Sequence, residues 1–275
     1  MEQSAQENSS PLSFLQRHWP EYLMEGAELG LFMLSACLFV ALLEYPASPI
    51  HSLLPNPTLR RVLIGVAMGV TAILIIYSPI GQRSGAHFNP AVTFTFWRLG
   101  KVETWDALFY AAFQFIGGTL GVLVSALFLG MVIADSTVNY VVTVPGSAGV
   151  WIAFIAELLI SFVQLSMVLR VSNAKTWARY TGVFAGVLVA IYISIEAPYS
   201  GMSMNPARTF ASAFPAQLWT AWWIYFTAPL LGMFLAAELY LRQHSVHRVF
   251  CAKLHHHNNQ RCIFRCNYDA LANSN

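Results

Sequence analysis

Two copies of one tripeptide carry the side chains best placed to do chemistry in this chain, Asn89-Pro90-Ala91 and Asn205-Pro206-Ala207. The asparagines lie 116 positions apart, from 89 to 205. Each tripeptide follows a turn, Ser84-Gly85-Ala86-His87-Phe88 or Gly201-Met202-Ser203-Met204, and each precedes an apolar run. A carboxamide offers a donor and an acceptor on one small group. Asn directly before Pro at a first helical turn reads as an N-cap, with Pro supplying the preset φ. The chemistry on offer is orientation and hydrogen bonding, without a covalent step. Arg208 follows the second tripeptide, and Glu28 and Glu157 stand in otherwise apolar stretches.

No catalytic group is expected. The sequence holds no nucleophile–base pair at a readable spacing, no Gly-rich phosphate loop and no intramembrane metal cluster, so no cofactor and no metal are assigned. The formal net charge of +2 and the lack of a basic patch interleaved with aromatics exclude nucleic acid as a partner.

The elements that must position these residues are membrane helices. Of 275 residues, 56% are hydrophobic and only 10% charged, with a mean hydropathy of +0.54. A soluble domain carries about 25% charged residues. A spanning helix needs about 20 apolar residues, and six segments meet this, near 22–43, 62–81, 104–134, 150–170, 180–198 and 218–241. Two apolar runs, 90–98 and 206–214, are too short to span and follow the two tripeptides. The fold class expected is therefore an all-α membrane protein with six transmembrane helices and two re-entrant half-helices. A segment 1–21 precedes the 22–242 membrane domain, and a tail, 243–275, follows it. Residues 1–19 are polar, so the first span is expected to act as its own insertion signal.

The domain reads as two repeats, 22–134 and 150–242. Ala27-Glu28-Leu29 matches Ala156-Glu157-Leu158, and Gly65-x-x-x-Gly69 matches Gly182-x-x-x-Gly186 at an offset of 117. Gln114-Phe115-Ile116-Gly117 matches Pro229-Leu230-Leu231-Gly232. Three spans per half is odd, so the second copy runs inverted, with the site near the midplane. One extra residue between Gly69 and Asn89 is expected around Ser78-Pro79-Ile80-Gly81, and the small residues are expected at close helix crossings. Lys and Arg gather on one side, at Arg17, Arg83, Arg98, Lys101, Arg170, Lys175, Arg179 and the tail. That bias puts both termini in the cytoplasm of a multi-pass protein, with the plasma membrane as the expected location.

Two half-helices meeting tip to tip would aim two positive dipole ends at one point, with the Asn89 and Asn205 amides as donors there. A passing water would be oriented by both, and cations would meet a positive potential. Arg208, costly inside a membrane, is expected beside a water-filled cavity.

The paired Asn-Pro-Ala motifs, the Arg after the second and a Glu in each half resemble the aquaporins, of the major intrinsic protein family, over about residues 22–242. The resemblance implies a homotetramer in the lipid bilayer, each subunit with its own pore for water or a small neutral solute. It places Arg208 in a selectivity filter with Ile193, Met202 and Met68, although counting straight back from Asn89 reaches Gly69 instead. It makes Glu28 and Glu157 acceptors of backbone N–H groups from the re-entrant loops, and places His87 in the cytoplasmic approach, unless that ring is simply packed and neutral. Water-selective members resemble an aromatic, His, Cys and Arg set, so this chain departs everywhere but at the Arg. Thr209 stands where glycerol facilitators usually carry Asp, and Tyr225-Phe226 resemble an aromatic pair of water-type members. The implied function is a passive channel for water in single file that excludes ions and protons. The alternative is ammonia, hydrogen peroxide, glycerol or a metalloid hydroxide passing the apolar filter.

The tail holds His244, His247, His255, His256, His257, Cys251, Cys262 and Cys266. Clusters of this kind can bind zinc, yet only Cys262-x-x-x-Cys266 approaches a finger spacing. Cys251 is also a candidate for palmitoylation and the basic residues for contact with anionic lipid. The expectation is a solvated basic tail.

Overall fold

A computed structural model describes residues 10–269. Residues 1–9 and 270–275, the outer parts of the expected terminal segments, lie outside the described residues. Among the described residues there is no strand.

Six helices are long and apolar enough to cross a membrane. Helix α1 spans Pro11–Glu44, and α2 spans Pro57–Tyr77. The half-helix α3, Pro90–Arg98, precedes α4, Thr104–Leu129. The second half repeats the order with α5 (Val150–Ser172), α6 (Thr181–Ile195), the half-helix α7 (Pro206–Ala216) and α8 (Trp223–Gln243). The segments expected as spans and half-helices are all present. Helix α1 starts earlier than the first hydrophobic run because Ser10 caps it, its hydroxyl accepting from the Ser13 N–H, and Pro11 fits the first turn. Residues 11–21 thus continue the first helix ahead of the apolar run.

Proline and asparagine punctuate the chain where the pattern requires. Asn56 caps α2 through the Thr58 and Leu59 N–H groups, again directly before a Pro. Helix α2 stops at Tyr77, where Ser78 turns extended and caps a six-residue helix, Pro79–Ser84. The second half has only four residues in the matching turn, Ala197–Ser200. Helix α6 in turn runs one residue further past Gly186 than α2 does past Gly69, so the first half is longer by a net one residue across this helix end and turn.

The helices cross where side chains are absent. Gly69 and Gly186 face each other across α2 and α6: a Cβ on Gly69 would stand 2.5 Å from the Gly186 carbonyl oxygen. One on Gly65 would stand 2.6 Å from the Ala190 oxygen. Gly117 of α4 lies against Gly26 of α1, and Gly232 of α8 against the Leu158 backbone of α5. Close backbone approach of this kind is how helices associate where lipid supplies no hydrophobic drive. Outward faces carry large apolar side chains such as Leu127, Leu74 and Trp151. Gly69→Ala should therefore destabilise the fold by about 1–3 kcal/mol through overpacking, whereas Leu127→Ala, at a residue 83% exposed, should stay within about 0.5 kcal/mol. Thermal unfolding in detergent distinguishes the two.

Candidate functional site

The two re-entrant loops are built alike, residue for residue. Gly85 (φ +109°) and Gly201 (φ +80°) take left-handed conformations. Ala86 (58°) and Met202 (52°), then Phe88 (32°) and Met204 (54°), also have positive φ. Such conformations are unfavourable for residues with a Cβ and persist only when the surroundings over-determine them. Here buried carboxylates supply that determination. Glu157 accepts the Ser203 N–H on Oε1 and the Met204 N–H on Oε2, both at 2.7 Å, and the Ser200 hydroxyl at 2.7 Å.

In the first half this work is divided. Glu25 accepts the His87 N–H at 2.9 Å and the Phe88 N–H at 2.7 Å. Glu28 instead accepts the Ser84 hydroxyl at 2.5 Å. Glu28 was expected to hold the loop amides, and the structure gives them to Glu25, one helical turn earlier. Gln114 donates to Glu25 at 2.7 Å. Tyr110 and Tyr225 complete the frame, their hydroxyls donating to the carbonyls of Ser84 and Ser200.

With the loops held, Asn89 and Asn205 meet at the centre. The Asn89 carboxamide accepts the Ala91 N–H and donates 2.7 Å to the Met204 carbonyl. Asn205 accepts from Ala207 and Arg208 and donates 2.7 Å to the Phe88 carbonyl. Each asparagine caps its own half-helix and ties the opposite loop. An NH2 group has two donors, so each retains one beyond that tie. Pro90, Ala91, Pro206 and Ala207 form the first turns behind the tips and are buried.

A continuous cavity of about 480 Å³ passes these tips, with Asn89 and Asn205 in its wall. Toward Glu44, Pro57 and Arg61 it is lined by Met68, Ile193, Met202 and Arg208. Met68 faces this space, while Gly69 packs on the backbone of α6, so the register allowing for the extra residue is the one that reaches the cavity. Arg208 Nη1 donates 2.8 Å to the Val141 carbonyl. That carbonyl is presented by three consecutive left-handed residues, Asn139, Tyr140 and Val141, in a loop without Lys or Arg. Nothing in the loop's composition signals the contact. Thr209, buried, lies 2.7 Å from the Ser203 hydroxyl and 2.8 Å from that of Thr143.

At the other end the wall includes His87, Met233 and Leu254. His87 both lines the cavity and is packed: it is 2% exposed, donates from Nε2 to the Ala252 carbonyl at 2.8 Å, and stacks between Phe96 and Phe264. Ala252, Leu254 and Phe264 belong to the tail, which contradicts the expectation of a solvated segment. Val249, Phe250, Cys251, Ala252, Lys253 and Leu254 are all buried. Cys251 is accordingly withdrawn from lipidation at the surface. Because two loop amides depend on each carboxylate, Glu25→Gln and Glu157→Gln should each cost about 1.5–3 kcal/mol. Glu28→Gln, which keeps an acceptor for one hydroxyl, should cost less in the same unfolding measurement.

Comparison with known proteins places this geometry. Residues 18–240 match the family described as Major intrinsic protein. Aquaporin NIP6-1 of Arabidopsis thaliana is 36% identical over 180 residues, 65% of this chain and 57% of the relative. Aquaporin NIP1-2 of the same plant is 30% identical over 181 residues, 64% of this chain and 61% of the relative. The chain thus spans about three-fifths of the length of these relatives. The X-ray structure of the aquaglyceroporin from Plasmodium falciparum superposes with a TM-score of 0.65 at 16% identity, covering 81% of this chain and 95% of that one, a likeness of fold. With six apolar helices, two half-helices joined at paired Asn-Pro-Ala tips and a family match over most of its length, the chain belongs to the major intrinsic protein family and has the aquaporin fold.

Proposed function

We propose that the protein is a passive transmembrane channel that conducts water in single file and excludes ions and protons. The observation that carries this reading is the cavity itself, which passes both asparagine tips and has Arg208 in its wall. A water at the centre can offer its oxygen to the remaining N–H donors of Asn89 and Asn205. Both half-helix N-termini point there, so its dipole is turned by fixed positive ends and its neighbours cannot form one continuous proton wire. Arg208 adds a fixed positive charge in a low-dielectric wall, which raises the barrier for cations. Its guanidinium has five N–H donors, of which one is held by Val141.

Met68, Ile193, Met202 and Arg208 form the filter in this reading. Three apolar walls and one cation make an amphipathic slot, which favours a second substrate class beside water: small neutral solutes such as ammonia, hydrogen peroxide, glycerol or a metalloid hydroxide. Methionine side chains are long and flexible, so the slot can adapt to a solute wider than water. The Lys and Arg distribution supports cytoplasmic termini, with Arg208 toward the outside, and the plasma membrane is the location assigned in this reading. A homotetramer follows from the family resemblance, each subunit keeping its own pore.

Vesicles containing the protein should shrink faster than empty vesicles in stopped-flow osmotic tests; equal rates would remove the water reading. Reswelling driven by glycerol or ammonia separates the second substrate class. Ile193→His or Met202→His places a polar donor in the slot and should raise the water-to-glycerol permeability ratio roughly two- to tenfold, the worth of one hydrogen bond. Arg208→Ala should leave water flow measurable and admit a cation leak, read as dissipation of a potassium gradient.

A further inference from the structure

The tail after α8 is an irregular loop that is buried against the protein without a helix or strand to organise it. After a single helical turn at Val246–Arg248, residues 249–267 contain no regular element. Yet the loop is pinned at several points on one face. The Phe250 N–H donates to Asn173 Oδ1, the Leu254 N–H to the Gly85 carbonyl, and the Arg265 N–H to the Lys101 carbonyl. Arg265 also makes a two-pronged contact with Glu103, at 2.6 and 2.9 Å. Lys253, 2% exposed, turns its ammonium inward to the carbonyls of Arg261 (2.7 Å) and Gln260 (3.2 Å). A short segment without regular structure is commonly stapled by a disulfide or a structural metal.

At the centre of the loop four soft ligands converge. Cys251 Sγ, His256, Cys262 Sγ and Cys266 Sγ each place one ligand atom so that all lie within 4.8 Å of one another. Cys251 and Cys262 sulfurs are 3.6 Å apart, and Cys266 Sγ is 3.0 Å from His256 Nε2. A tetrahedral zinc ion with Zn–S bonds of about 2.3 Å sets its sulfurs a little under about 4 Å apart, which matches this cluster. A disulfide needs about 2.05 Å, and all four cysteines of the chain are free thiols. Tyr268 stacks on the His256 ring at 4.3 Å and fixes its plane.

We propose that Cys251, His256, Cys262 and Cys266 bind a soft divalent metal ion, zinc foremost, in a closed tetrahedral Cys3His site. Four protein ligands leave no open position, so the site is structural. It staples the loop that sets the Ala252 carbonyl on His87, the Phe264 ring on the other face of His87, and Leu254 in the cavity wall. Zinc binding thereby fixes the tail-side end of the cavity. The metal assignment stands apart from which solute the cavity passes.

The test uses the full chain purified in detergent under reducing conditions. Elemental analysis should find about one zinc per chain, and cobalt exchanged for zinc should show the visible absorption bands of tetrahedral cobalt–thiolate. The double variant C262S/H256A should bind metal at least about 10-fold more weakly, the scale for losing even an outer partner of a site, while C37S should retain full zinc. A readout independent of those variants uses the buried Lys253. Cleavage after it by a lysine-specific protease should be blocked in the zinc form, open after chelation, and be blocked again on adding zinc. Protein that stays metal-free in excess zinc overturns the proposal, as does a Cys251–Cys262 disulfide mapped in non-reduced protein. Full protection of Lys253 after complete metal removal overturns the stapling role.

Discussion

Everything near the centre of this molecule depends on a reciprocal exchange between two asparagines. Each carboxamide ends its own half-helix and reaches across to hold a carbonyl of the opposite loop, Asn89 to Met204 and Asn205 to Phe88. The exchange closes the two halves of the chain on each other at one point inside the membrane-spanning layer. It is possible only because the loops that present those carbonyls are forced into left-handed turns, and these are affordable only with buried carboxylates beneath them. Glu25, Glu28 and Glu157 are expensive in such surroundings unless every bond they make is used. Their amide and hydroxyl partners account for most of that need.

The glycines act one layer further out. Gly69 against Gly186 lets α2 and α6 touch backbone to backbone, and Gly117 against Gly26 does the same for α4 and α1. Close crossings on both sides bring the carboxylate-bearing faces of α1 and α5 within reach of the loops. Packing and hydrogen bonding are therefore successive parts of one arrangement: the crossings set the distance, the carboxylates set the loops, and the loops set the asparagines.

Much of this was legible in the residues because it is local or repeated. Spans, half-helix starts and the small-residue crossings follow from hydropathy, Asn-Pro capping and glycine spacing, and all three signals appear twice. Glu25 escaped because the repeat was aligned on Ala-Glu-Leu, which selects Glu28 and Glu157. Residues three apart share a helix face, so the neighbouring carboxylate deserved equal weight on geometry alone. The Val141 carbonyl and the tail escaped for another reason. Both are irregular segments whose partners lie far away in sequence, Val141 with Arg208 and Ala252 with His87. A backbone carbonyl has no side-chain signature, and the four metal-type ligands have a spacing that becomes meaningful only once the loop is folded.

The cross-tie has a consequence for where such a molecule can be adjusted. A waist laced from both sides, with each lace also serving as a helix cap, has no slack: widening it would break bonds in both halves at once. The two ends of the cavity are furnished differently. Arg208 leans on a single carbonyl of the 135–149 loop, and His87 on a carbonyl of the tail. Neither of those supports belongs to a membrane-spanning helix. The bore at the middle is thus the fixed gauge of the cavity, and at its two rims its wall rests on irregular backbone.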